Sequence, residues 1–114
     1  MKAKITWING RAFLGESGSG HAVVMDGASE AGGRNIGVRP MEMMLLGLGG
    51  CTAFDVVMIL EKAREKITGC ELALEAERAA EDPKVFTQVK LVYTLRGHSL
   101  KAAAVERAIR LSEE

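Results

Sequence analysis

Met41 to Lys66 reads MEMMLLGLGGCTAFDVVMILEKAREK, and this stretch decides how the rest of the 114-residue chain is interpreted. From Met43 to Leu60 every residue is apolar or small except Thr52 and Asp55. No amphipathic stripe can be drawn on such a segment, and a helix apolar all round is expected to be buried. Arg39-Pro40 marks its start, because proline lacks an N–H and has a preset φ that suits a first helical turn, while Glu42 lies favourably for the helix dipole. Glu61, Lys62, Arg64, Glu65 and Lys66 return it to solvent, and Thr68-Gly69 is the expected stop. One chain of this size has little else with which to cover every side of that helix, which predicts a second subunit. The segment also reaches about the minimum length of a membrane span. Asp55 near its middle, glycines at 47, 49 and 50, and strand-like flanks predict instead a helix buried in protein.

On the N-terminal side, Lys2 to Ile8 alternates polar and apolar residues as a half-buried strand does. Asn9-Gly10 is a hairpin turn, Arg11 to Gly15 the returning strand, and His21 to Asp26 a third strand, giving an antiparallel meander. Ala28 to Arg39 has no periodicity and reads as an exposed loop. On the C-terminal side, Cys70 to Ala80 has helix-favouring composition but alternates, with Cys70, Leu72, Leu74 and Ala76 on one face and glutamates on the other. The pattern predicts a strand. Asp82-Pro83 turns it into a second strand, Val85 to Leu95, completing a second hairpin. Ser99 is the expected N-cap of a helix from Leu100 to Leu111. The order βββ, helix, ββ, helix predicts an α+β fold with helices against antiparallel sheet.

A chain of this length is expected to form one domain and to bury roughly 65% of the surface its unfolded form exposes. Fifteen basic and fifteen acidic residues leave no net charge, and aromatic residues are few. That composition argues against nucleic acid as a partner. The first ten residues, MKAKITWING, lack the apolar core of a secretory signal, so a cytoplasmic protein is expected. Its two cysteines are then expected to be free thiols.

Cys51 carries the chemistry on offer. It reads either as a small buried hydrophobe or as a reactive thiol. Gly49-Gly50 would let a substrate or a backbone approach, and could break the helix so that Cys51 sits near a new N-terminus, where a thiol pKa falls. Asp55, four residues on, would oppose thiolate formation. A reactive Cys51 therefore needs a cation, and Arg39, Arg34 and Arg11 are the candidates. Cys70 is expected to be core: an unbroken helix rises about 23 Å between Cys51 and Lys66, far beyond the reach of a disulfide. The glycines at 15, 18 and 20 do not form a dinucleotide loop, since a strand follows them. Ser17, Ser19, His21 and Asp26 lack the elbow of a hydrolase triad. His21 and His98 have no ligand-like spacing, so neither a metal nor a cofactor is expected.

RPMEMMLLGLGGCTAFDVV, preceded by the WINGRAFLGESGSGH hairpin and an MDG turn, resembles the OsmC/Ohr family of thiol-dependent peroxidases, in particular its YhfA-like branch. The resemblance covers essentially the whole chain. It implies an OsmC-like α+β fold in which two subunits intertwine around their central helices to form a homodimer, with active sites at the interface. It also implies that Cys51 is a peroxidatic thiolate attacking organic hydroperoxides, and that an arginine and a glutamate sit beside it. Glu42 is the nearest glutamate, one place later than in the hydroperoxide-resistance branch, and Arg39 or Arg11 is the arginine. Family members continue to a second cysteine, whereas this sequence ends at Glu114. Either the protein continues past Glu114 or it lacks that resolving thiol, and in the second case an external thiol or dithiol reduces the sulfenic acid. Two alternatives stand beside this one: a non-catalytic dimer that binds a small hydrophobic ligand, and a structural protein whose GGC serves helix packing, in which Gly50→Ala would lower stability.

Overall fold

A computed structural model of the chain describes residues 1–113. Three strands, β1 (Ala3–Asn9), β2 (Ala12–Ser17) and β3 (Ala22–Met25), precede the long helix α1 (Pro40–Lys62). Two strands follow, β4 (Lys66–Arg78) and β5 (Phe86–His98), and then α2 (Ala102–Ser112). The predicted order is therefore present. The chain divides into two compact units, Met1–Met44 and Leu45–Glu114, with α1 beginning in the first and continuing through the second.

The first unit is the predicted antiparallel meander, in the order β1-β2-β3. Gly10 holds φ at +53° in its first turn, a conformation glycine adopts without steric cost. The stretch expected to be an exposed loop is organised around a buried carboxylate. Asp26, 1% exposed, accepts hydrogen bonds from the backbone N–H groups of Gly27 (2.7 Å), Arg34 (3.1 Å) and Ile36 (3.4 Å). Burial alone would raise its pKa, but these three donors and the nearby Arg34 charge outweigh it, so the carboxyl is held below its ordinary value. A parallel bridge from Met25 to Val38 closes the loop that leads into α1.

In the second unit β4 and β5 pair antiparallel, with Cys70 opposite Leu95, Leu72 opposite Tyr93 and Leu74 opposite Leu91. Alternation thus overrides composition here, as predicted: Leu72, Leu74 and Ala76 are half-buried while Glu71, Glu75 and Glu77 are exposed. Val56 and Leu60 of α1 and Ala108 of α2 form the fully buried cluster, against which Ile67, Tyr93 and Leu95 of the strands pack.

Three local readings are corrected. The helix stops at Lys62, not at Thr68-Gly69. Arg64 takes a left-handed φ of +61°, its N–H bonds to the Glu61 carbonyl, and the Glu65 N–H bonds to the Leu60 carbonyl. That pairing satisfies the last helical carbonyls without a glycine. Thr68 is instead the extra residue of a bulge in β4, which therefore starts four residues before Cys70. Ser99 does not cap α2. The N-cap is Lys101, with no side-chain capping bond, and its backbone N–H bonds to the Glu65 carboxylate at 3.2 Å.

Within the single chain α1 is buried on one side only. Only Gly49, Thr52, Val56 and Leu60 are buried, a 3-4-4 spacing that makes one stripe. Met44, Leu46, Leu48, Phe54 and Met58 remain exposed in the single chain. By length and composition α1 could cross a membrane, a test that core helices of soluble proteins also pass.

Candidate functional site

Cys51 lies within an unbroken α1, so the glycines before it do not create a new helix N-terminus. Its residue is exposed, on the part of the helix the core does not cover, and Asp55 is half-buried. The neighbouring glycines differ. A Cβ built on Gly49 would come within 2.7 Å of Leu74 Cδ1, whereas Gly47 and Gly50 meet nothing within 4 Å. Gly49 lets β4 approach the helix; Gly50 leaves open space beside the thiol. The packing role considered for Gly50 belongs to its neighbour.

Arg11, Arg39 and Glu42 fall in the first compact unit and Cys51 in the second. Arg39 is fixed: Nη1 donates to Asn35 Oδ1 at 2.9 Å and to the Gly37 carbonyl at 3.1 Å, while its backbone N–H donates to Glu42 Oε1 at 2.8 Å. Glu42 thus closes the first turn of α1, as a glutamate at the third helical position does in a capping box. Arg11 is exposed, its stem lying about 4.0 Å from where a Gly32 side chain would begin. Arg34 donates to the Asn9 side chain. Ser17, Ser19 and His21 join in a hydrogen-bonded hairpin turn, while the Asp26 carboxylate is taken up by its own loop, so no triad assembles.

Cys70 was expected at the far end of the helix. β4 begins at Lys66 and runs back along α1, and Cys70, near the start of the strand, lines a cavity of about 490 Å³ together with Gly50, Ala53, Phe54, Val57, Met58 and Glu61. Both cysteines are free thiols. The alternation of Cys70 with Leu72 and Leu74 already placed it on the apolar face. The strand residue that meets the glycines is Leu74, against Gly49, which leaves Cys70 four residues back along β4, toward the C-terminal part of α1.

The sequence profile of the OsmC-like proteins matches residues 32–114. The chain belongs to the OsmC-like family. Protein YhfA of Escherichia coli K12 is 46% identical over 114 residues, covering 100% of this chain and 82% of the relative. A structural-genomics structure has a TM-score of 0.88 at 45% identity, over 100% of this chain and 82% of its own. An organic hydroperoxide resistance protein OsmC from Legionella pneumophila shares the OsmC-like fold at 16% identity, with a TM-score of 0.67 over 97% of this chain and 80% of that one.

Proposed function

We propose that this OsmC-like protein is a cytoplasmic, cysteine-dependent peroxidase that reduces organic hydroperoxides and acts as a homodimer. One observation carries the reading: the exposed Cys51 stands beside open space at Gly50, on a face of α1 that is otherwise apolar and uncovered. An apolar surface of that kind is what a partner subunit buries, and an interface there would enclose the thiol. The hydroperoxide resistance of the Legionella relative gives the reading its chemical direction.

In the reaction, the Cys51 thiolate attacks one oxygen of the O–O bond. That bond breaks, the leaving alkoxide takes a proton and departs as an alcohol, and Cys51 becomes a sulfenic acid. An external thiol attacks the sulfenic sulfur and expels water; a second thiol releases the mixed disulfide and restores Cys51. The test is consumption of cumene hydroperoxide coupled to a dithiol. Cys51→Ser should reduce it to background and Cys70→Ser should not; full activity in Cys51→Ser would end the reading.

A second reading is favoured by the apolar cavity itself: a non-catalytic dimer that holds a small hydrophobic ligand. Sulfenic acid formation at Cys51 no faster than that of free cysteine under the same conditions would select it.

A further inference from the structure

The turn between β1 and β2 carries a pair of residues whose covalent chemistry the peroxidase reading leaves unused. Asn9 and Gly10 are both exposed, and Gly10, with φ at +53°, has open space where a side chain would stand. Among the described residues no backbone acceptor takes the Gly10 N–H. Glycine puts no Cβ beside that nitrogen, so it can reach the side-chain amide before it. The Asn9 amide is nevertheless held. Arg34, 25 residues away in sequence, donates through Nη2 to Asn9 Oδ1. The Arg34 backbone N–H in turn donates to the buried Asp26 carboxylate at 3.1 Å, which anchors that end of the tie.

We propose that Asn9-Gly10 is a site of spontaneous modification and that Arg34 restrains it. In the reaction the Gly10 nitrogen gives its proton to hydroxide and attacks Asn9 Cγ. A C–N bond closes a five-membered succinimide, the bond from Cγ to Nδ2 breaks, and Nδ2 takes a proton from water and leaves as ammonia. Water then opens the ring. Attack at Cγ leaves aspartate, attack at the main-chain carbonyl leaves isoaspartate, and nothing is oxidised or reduced. Either product gives Arg34 a carboxylate where it had a neutral amide.

Closing the ring requires Asn9 Cγ to turn toward the Gly10 nitrogen. A guanidinium fixed elsewhere in the fold opposes that rotation while it holds Oδ1, and it polarises the amide only as long as the bond lasts. Both partners are exposed, so the restraint is that of one ordinary net hydrogen bond, about two- to tenfold in rate.

The test ages the full chain at mildly alkaline pH, folded and in concentrated urea. Mass spectrometry of the peptide containing Asn9 counts the exchange of amide for acid, and an isoaspartyl methyltransferase counts the isoaspartate share. Folded protein should convert more slowly than the chain in urea, and folded Arg34→Ala about two- to tenfold faster than the unsubstituted protein. Hydrogen exchange at the Gly27 and Ile36 amides, which bond Asp26, shows whether the loop itself stays formed in the variant. Faster conversion with those amides still protected supports the restraint. Equal rates with and without Arg34 would overturn it, as would faster conversion only where their protection is lost. A folded rate equal to the rate in urea would overturn it too.

Discussion

The two sides of α1 have nearly the same chemistry and different fates. On one, Gly49, Thr52, Val56 and Leu60 are buried against β4, β5 and α2; on the other, Met44, Leu48, Phe54 and Met58 face outward. Hydrophobicity alone does not separate them, since Val56 and Phe54 are equally apolar in kind. What separates them is which residues have a surface to pack on. The uncovered side marks where this chain needs something more, and Cys51 sits there.

Substitutions on the two sides should behave accordingly, and the largest contrast is at the core. Leu60→Ala removes a fully buried side chain and should cost about 2–5 kcal/mol in denaturant unfolding. A cost below about 1 kcal/mol would mean the helix does not pack on the hairpin through this stripe. Gly49→Ala should cost about 1–3 kcal/mol, because its methyl would meet Leu74 and the strand must shift. Gly50→Ala, one residue away, should stabilise the chain by about 0.5–1 kcal/mol through helix propensity. A loss there, by the same unfolding measurement, would reveal a close neighbour at Gly50 such as the backbone of a second subunit. The smallest effect is expected at Phe54→Ser, which should leave unfolding of an isolated chain within about 0.5 kcal/mol. Analytical ultracentrifugation makes that substitution informative: if the exposed side is an interface, Phe54→Ser shifts the protein toward monomer.

Much of the fold was legible because it rests on local periodicity. The meander, the alternation of Cys70, Leu72 and Leu74 against glutamates, and the helix after Pro40 each follow from side-chain direction in strands and helices. The missed boundaries share a cause. Thr68-Gly69 has the composition of a helix stop, but Arg64 already closes the helix in a left-handed conformation usually left to glycine, and no local signal marks an arginine for that role. Ser99 has the composition of a cap, yet the N-cap is Lys101, whose backbone N–H is held by Glu65 from far away in the sequence.

The candidate site divides in the same way. By itself the sequence determined that Cys51 lies in an apolar helix among glycines, that Arg39-Pro40 opens that helix, and that a meander and a hairpin flank it, because these depend on residues near one another in the chain. Tertiary structure alone decided which glycine packs and which leaves space, that Asp26 anchors the loop before α1, and that β4 returns far enough to bring Cys70 into the cavity lined by Gly50. Each of those depends on where a distant strand or loop comes to rest, and burial is a property of two surfaces, of which a sequence pattern describes only one.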